Sequence, residues 1–278
     1  MPELPEVETV RRGLADRLDS FEIKEIEVCR ARAIASPGGV DQFVAGLKGA
    51  TVGAWSRRGK YLMAQLEPNR GRWGVHLRMT GQFQWHATPA PPCNHTRVRF
   101  WNQSSEELRF VDVRSFGEMW WVPEGDDLDT VMTGLKRLGP EPFSEAFTGA
   151  YLKQRLKGST RPIKTALLDQ SLVAGVGNIY ADESLFAAGI PPLTGSGKLS
   201  IEQLVRLRDE LINVLNISIG VGGTTFSDFR DLEGVNGNYG GQSWVYRRSG
   251  QPCRRCGTPI SREKLSGRST HWCPTCQR

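Results

Sequence analysis

No apolar run in this 278-residue sequence approaches the roughly 18 residues that a membrane-spanning helix needs, so no helical span is expected. The opening stretch, Met1 to Val10, is polar and carries Glu3, Glu6 and Glu8. The basic start and apolar core of a secretion signal are therefore missing, and a cytoplasmic location is expected. Cysteine is almost absent from the body of the chain, where Cys29 and Cys93 stand alone as isolated thiols. Acidic residues are almost absent from the end: between Arg247 and Arg278 only Glu263 opposes seven Arg and one Lys. That segment alone exceeds the whole chain's net charge of +6, so the remainder is close to neutral. A basic tail on a neutral body fits a module that binds a polyanion, although a solvated charged tail has the same composition. Hydrophobic residues, at 38%, are lean but sufficient for a core, and the length suits about two domains. No internal repeat is present.

What is there falls into three textures. Residues 5–18 read as a helix, with Pro5 in the first turn and Val7, Val10, Leu14 and Leu18 at helical spacing. From Phe21 to about Val122, short apolar or alternating runs read as strands: Phe21–Val28, Tyr61–Leu66, Gly74–Trp85, Arg97–Trp101 and Leu108–Val113. Their number and length suggest a mostly antiparallel sandwich or barrel. After about Leu138 the pattern is helical again, with short helices over Lys164–Gln170 and Ile179–Ala188. A longer helix starts at Ser200, which has capping-box spacing to Gln203 and is followed by the stripe Leu204, Leu207, Leu211 and Leu215. Residues 220–241 hold seven glycines and read as a mobile loop leading to the tail.

Three constellations carry chemistry. Cys253-x2-Cys256 and Cys273-x2-Cys276 crowd into the last 26 residues, a spacing that suits one tetrahedral zinc ion. A segment this small has almost no core, so metal would supply most of its folding free energy. The residues between the pairs, with Arg262, Lys264 and Arg268, would form a hairpin with basic residues near its tip. Asn178 follows Gly175 and Gly177 at a helix start, where free N–H groups can meet a phosphate; an ordinary Asn cap has the same signature. At the amino terminus, removal of Met1 would expose Pro2 as a secondary amine, partly unprotonated near neutrality and hence nucleophilic. Glu3 and Glu6 lie close enough in sequence to move protons during attack on a sugar carbon and the elimination that follows. A helix start rich in acid and proline has the same composition.

The block Met1-Pro-Glu-Leu-Pro-Glu-Val-Glu-Thr-Val10 closely resembles the bacterial formamidopyrimidine-DNA glycosylases. So do Arg57-Arg-Gly-Lys-Tyr61, His76-Leu-Arg-Met-Thr-Gly81, Gly175-Val-Gly-Asn-Ile-Tyr180, Glu183-Ser-Leu-Phe-Ala-Ala-Gly-Ile190, Gly222-Gly-Thr-Thr225 and the four-cysteine tail. These matches run in family order over nearly the whole chain. The resemblance implies an α+β fold. An N-terminal β-sandwich with flanking helices would occupy 1–138. A helix–two-turns–helix domain with a Gly-rich lesion loop would occupy 139–241, and a β-hairpin zinc finger 242–278. DNA would lie in a basic cleft.

Carried over residue by residue, the resemblance implies Pro2 as nucleophile, Glu3 as proton donor to the opening sugar and Glu6 in support. Lys60 and Arg268 would assist elimination and contact phosphate. His76, Lys164 and Asn178 would touch the lesion backbone. Met79, Arg114 and Phe116 would fill the gap left by the extruded base, with Arg114 facing the orphaned cytosine. The implied activity is excision of 8-oxoguanine and formamidopyrimidines from duplex DNA, followed by β,δ-elimination, by a monomer carrying one structural zinc ion. The gap-filling loop departs from the commoner Asp-Pro-Arg-Arg-Phe-Gly: here it is Asp112-Val-Arg-Ser-Phe-Gly117. Leu4 favours this branch over the endonuclease VIII-like relatives that act on oxidised pyrimidines, which form the alternative reading. A non-catalytic damage-binding protein is a further one, opposed by the intact Pro2, Glu3 and Glu6.

Overall fold

The computed structural model describes residues 1–88, 90–224 and 237–278. The chain divides into two compact units, Met1–Lys136 with Gly222–Asn238, and Arg137–Val221 with Tyr239–Arg278. Of the described residues in the Gly-rich segment, 222–224 and 237–238 group with the first unit, and 220–221 and 239–241 with the second. The rest of that loop, including Thr225, lies outside the described residues.

The first unit opens with α1 (Leu4–Arg17), whose Val7, Val10 and Leu14 enter the core at helical spacing. Two four-stranded antiparallel sheets follow. One has the order β2 (Thr51–Arg58), β3 (Tyr61–Glu67), β4 (Arg72–His76), β8 (Glu118–Val122). The other runs β1 (Glu25–Val28), β6 (Thr96–Trp101), β7 (Glu107–Asp112), β5 (Gly81–His86). Aromatic rings from both sheets meet in the layer between them: Trp73 of β4 lies 4.6 Å from Phe100 of β6 and 5.9 Å from Phe83 of β5. The helix α2 (Gly39–Leu47) and the short α3 (Leu128–Val131) flank the first sheet.

The expected single strand Gly74–Trp85 is two strands in different sheets. The chain turns the corner at Leu77–Thr80, where Arg78 adopts φ +54° and its N–H donates to His76 Nδ1 at 3.0 Å. The corner leaves Met79 exposed. The strands β2 and β8 and the helix α2 were not anticipated. A bulge between Val52 and Trp55 breaks the alternation of β2, and Glu118–Val122 is buried without a two-residue period.

The second unit contains α4 (Gly149–Leu156), α5 (Ile163–Leu167), α6 (Asn178–Ala187), α7 (Ile201–Gly220) and α8 (Tyr239–Gln242). The strands β9 (Ser261–Leu265) and β10 (Arg268–Trp272) form the expected hairpin. Ser200 and Gln203 cap α7 reciprocally, and Leu204, Leu207, Leu211 and Leu215 are buried as the stripe requires. The helix α6 is different: Ile179 through Phe186 are all buried, including Asp182 and Glu183. A helix enclosed on all sides must find partners for its charges within the protein.

Gly46 of α2 lies against the Trp121 ring, which a Cβ would approach to 2.2 Å. The ring cannot retreat freely, because Trp121 Nε1 donates to Arg70 O at 2.8 Å and its backbone N–H donates to Ser36 Oγ at 2.6 Å. Gly46→Ala should therefore cost about 1–3 kcal/mol in urea denaturation through overpacking. An unchanged midpoint would show that α2 shifts without cost.

Candidate functional site

At the amino terminus Pro2, Glu3 and Glu6 are all buried, while Met1 is half exposed. Glu6 Oε2 accepts the Glu3 N–H at 2.7 Å, and Oε1 accepts the Thr224 N–H at 2.8 Å. The same oxygen would lie 3.0 Å from a Cβ on Gly223, whose φ of +79° also favours glycine. Glu6 thus clamps the start of α1 to the root of the Gly-rich segment. Two residues on, Glu8 binds Arg11, Arg12 and Arg57, at 2.9, 3.1 and 3.2 Å, and fixes α1 to β2. These arginines hold its carboxyl below the usual range, against the opposing effect of burial.

Lys60 sits between β2 and β3 and is mostly buried. Tyr61 pairs with His76 across β3 and β4, their rings meeting edge-to-face at 4.5 Å. Burial, followed by the charges of Arg78 and Lys60, pushes His76 down to about 3. With Nδ1 accepting the Arg78 N–H, the proton of the neutral ring resides on Nε2. His76 can donate a hydrogen bond to a phosphate but brings no positive charge.

The residues expected to fill a gap are gathered at one corner of the sandwich. Arg114 Nη1 lies 3.0 Å from Met79 Sδ, and its guanidinium stands 4.8 Å from the Phe116 ring centre. Met79 and Phe116 are 39% and 38% exposed, too much for core packing. The sequence reading missed what holds them. Buried Asp112 accepts the Gly117 N–H at 2.7 Å, the Arg114 N–H at 3.2 Å and the Thr80 hydroxyl. Ser115 takes φ +55° within this loop. His95 was also passed over; its carbonyl accepts the Asp112 N–H at 2.9 Å, which places it at the base of the loop.

In the second unit, Asn178 is the first residue of α6 rather than its cap, a place taken by Gly177. Its Nδ2 donates to Ser269 O of the hairpin at 3.0 Å. Lys164 is also turned inward. It is 1% exposed, pairs with Asp182 at 2.7 Å, and donates to Ser269 O and Thr270 Oγ1 at 2.8 and 2.9 Å. Arg268 is exposed at the mouth of the hairpin. Fully buried Glu183 accepts the N–H groups of Trp244, Val245 and Tyr246 at 2.8–2.9 Å, fixing the approach to the cysteine segment.

The four cysteine Sγ atoms lie within 4.8 Å of one another. A tetrahedral zinc with thiolates at about 2.3 Å requires sulfur–sulfur edges of about 3.8 Å. The Cys253–Cys276 and Cys256–Cys273 separations are 3.9 and 3.5 Å. Backbone N–H groups of Arg255 and Cys276 point at Cys253 and Cys273 sulfurs, as tight Cys-x-x-Cys turns demand. Hydrogen bonds to Thr258 draw Cys256 down to about 6, whereas burial and then the neighbouring thiols push Cys276 up to about 12. One thiolate is easy here and four are not without a dication, so the donor set fits zinc.

Family models match almost the entire chain. Residues 1–119 match the formamidopyrimidine-DNA glycosylase N-terminal domain, residues 138–230 its H2TH domain, and residues 250–278 a zinc finger found in FPG and IleRS. A formamidopyrimidine-DNA glycosylase of Parasynechococcus marenigrum is 76% identical over the full length of both chains, and one of Prochlorococcus marinus is 67% identical over the same extent. Among solved structures, a Lactococcus lactis FPG mutant bound to Fapy-dG-containing DNA superposes with a TM-score of 0.91 at 36% identity, covering 100% of both chains. The L. lactis FPG with oxidised-pyrimidine DNA gives 0.90 at 36% identity, again over 100% of both chains. A sandwich with a buried acidic amino terminus, an H2TH domain and a zinc finger together define a DNA glycosylase of base excision repair. Within that class the chain belongs to the formamidopyrimidine-DNA glycosylase family, and the cysteine cluster is a structural zinc site, the one such cluster among the described residues. No helix among the described residues is long and apolar enough to cross a membrane.

Two outcomes follow from this geometry. Chelation or Cys256→Ser should release one zinc per chain, unfold the hairpin and abolish duplex binding while the β-sandwich stays folded; a metal-free protein with full duplex affinity would refute this. For His76 the folded pKa lies below the unfolded one, so the unfolded chain binds the extra proton between about pH 6.5 and 3. The stability it contributes is complete above that window and lost as pH falls through it. His76→Gln should flatten the acid limb of denaturation by up to about 1.4 kcal/mol per pH unit; an identical limb would mean that the imidazole is solvated.

Proposed function

We propose that the protein excises oxidised purines, 8-oxoguanine and formamidopyrimidines, from duplex DNA and then cuts the strand, with Pro2 as nucleophile. The observation that carries the reading is the buried amino terminus, where Glu6 holds the Glu3 N–H and the Thr224 N–H at once. This arrangement fixes the first residues in one conformation beside a second carboxylate, as covalent catalysis requires. Met1 is removed to free the Pro2 amine. The amine attacks C1′ of the extruded nucleotide, the glycosidic bond breaks with its electrons passing to the base, and the proton released from the attacking nitrogen is delivered to the base, which leaves neutral. The C1′–O4′ bond then opens, O4′ takes a proton from Glu3, and Pro2 N and C1′ are joined as an iminium. Loss of a C2′ proton expels the 3′ phosphate; loss of a C4′ proton then expels the 5′ phosphate. Water releases the sugar fragment from Pro2.

Glu6 positions this site rather than shuttling protons, because both its oxygens already accept backbone N–H groups. Lys60 and Arg268 supply positive charge to the phosphates that leave, and His76 a neutral N–H. At α6 the phosphate donors are backbone N–H groups together with the second N–H of the Asn178 amide, whose first is engaged with Ser269. Lys164 acts on DNA only through the hairpin it anchors. Met79 and Phe116 enter the stack and Arg114 faces the orphaned cytosine. A monomer acting on nucleoid DNA in the reducing cytoplasm fits a thiolate zinc site and bacterial relatives.

Borohydride should trap the protein on DNA containing 8-oxoguanine, and peptide mapping should place the adduct on residue 2. Protein retaining Met1, or extended before Pro2, should bind the damaged duplex but neither cross-link nor cut, because an amide nitrogen is not a nucleophile. Excision by the blocked protein at the parental rate, or an adduct on Lys60, would overturn the proline mechanism. Matched duplexes with thymine glycol test the lesion class. Faster excision of the pyrimidine would move the protein to the alternative branch.

A further inference from the structure

Asp182 is a carboxylate with no place in the chemistry above, buried at the centre of the second unit. It lies in the second turn of α6, on a helix with no solvent-facing side in that stretch. Its Oδ1 pairs with Lys164 Nζ at 2.7 Å, and its Oδ2 accepts both the backbone N–H of His271 at 3.0 Å and Nδ1 of the same residue at 3.1 Å. An ionised carboxylate only accepts, so His271 Nδ1 carries a proton. Lys164 also donates to Ser269 O and Thr270 Oγ1, and Asn178 donates to Ser269 O. Three consecutive hairpin residues, 269–271, are thus gripped by α5 and α6, directly after Arg268.

Burying a lysine and an aspartate costs several kcal/mol per ion in desolvation, and apolar side chains of similar volume often hold a fold as well. Apolar contacts, however, allow sliding. Directed hydrogen bonds do not, here accepted by one carboxylate from the His271 N–H and donated by one ammonium to the Ser269 carbonyl and the Thr270 hydroxyl. The outer side of His271 is closed by Tyr246, whose ring lies 5.1 Å away edge-on and whose backbone N–H is held by Glu183.

We infer that Asp182 is a positioning residue for Arg268: through Lys164 and His271 it sets the register of β10 against α6, and so fixes where the Arg268 guanidinium stands relative to the helix start at Asn178. The inference rests on the role proposed for Arg268. A misplacement of about 1 Å is enough to cost orders of magnitude in a positioned reaction.

The test is a double-mutant cycle on the full-length, zinc-loaded protein, read as single-turnover cutting of an 8-oxoguanine·C duplex with zinc content measured alongside. Asp182→Asn keeps the shape of the side chain and removes its charge. It should slow cutting by about tenfold or more, and Arg268→Ala by at least as much. The double variant should be no slower than Arg268→Ala alone, because the aspartate acts through the arginine. Losses that multiply, or an Asp182→Asn protein that cuts at the parental rate, would overturn the inference. Should Asp182→Asn lose zinc or fail to fold, His271→Gln decides the matter in the same cycle, since it deletes the ring contact and leaves the backbone bond. An Arg268→Ala protein that cuts normally sinks the role of Arg268 itself; multiplying losses beside a slow Arg268→Ala sink only the part given to Asp182.

Discussion

A carboxylate withdrawn from water must be met by donors, and in this chain the donors are repeatedly the backbone N–H groups of segments that carry function. Glu6 takes the N–H groups of Glu3 and Thr224; Asp112 takes those of Arg114 and Gly117; Asp182 takes that of His271; Glu183 takes three in a row, from Trp244 to Tyr246. In each case the helix or strand bearing the acid is regular and the partner is a loop, a hairpin or a chain end. The loops and chain ends have no ladder of their own to satisfy them, and the hairpin's two-stranded ladder leaves the outer edge of β10 unpaired. A charge-assisted bond from a rigid element gives them one conformation without enlarging the core. Burial raises the Glu183 carboxyl, and the three N–H groups oppose the rise, which is the balance expected when directed bonds replace solvent.

Positive charge obeys a related economy. The tail is the basic part of the sequence, yet several of its arginines have structural work. Arg254 donates to the carbonyls of Gly241 and Gln242, Arg248 to those of Trp244 and Pro252, and Arg255 stands 4.7 Å from the Phe186 ring centre. These contacts anchor the guanidinium groups without neutralising them, since carbonyls and rings carry no net charge. Their field still reaches a polyanion over a Debye length, while Arg268 of the hairpin stays exposed for the direct contact proposed above. The composition read as a polyanion-binding tail therefore describes a field rather than a list of phosphate contacts.

The parts of the molecule that were legible in the sequence are those where local chemistry dictates the outcome. Paired Cys-x-x-Cys turns, the Ser200–Gln203 cap with its leucine stripe, and the spacing of Val7, Val10 and Leu14 each need only a few neighbouring residues, and the structure follows them. The strands β2 and β8 were missed because a bulge and two-sided burial erase the alternating pattern. Lys164 and Asn178 are read from sequence as contacts to the lesion backbone, and their motif says nothing of the hairpin about 90–105 residues downstream to which they also donate. Asp182, His271 and Asp112 gave no signal for the same reason. A buried acid is indistinguishable in sequence from a solvated one until its partner is known.

The corner bearing Met79, Arg114 and Phe116 illustrates how these constraints combine in the proposed function. Val113 and Ser115 stand where the resembling proteins more often have a proline and an arginine, which would suggest a looser loop. Asp112 supplies the stiffness instead, through two backbone N–H groups and the Thr80 hydroxyl. That leaves two large apolar side chains partly in water, at 39% and 38% exposure, each forgoing on the order of 1 kcal/mol of burial. Extruding a base costs a few kcal/mol of stacking, so the two quantities are commensurate: the wedge recovers on entering the duplex about what the duplex loses. Arg114 is held meanwhile by a thioether and a ring, both weak partners for a guanidinium. Exchanging them for the acceptors of an orphaned cytosine then favours the bound state without a strong contact having to break first.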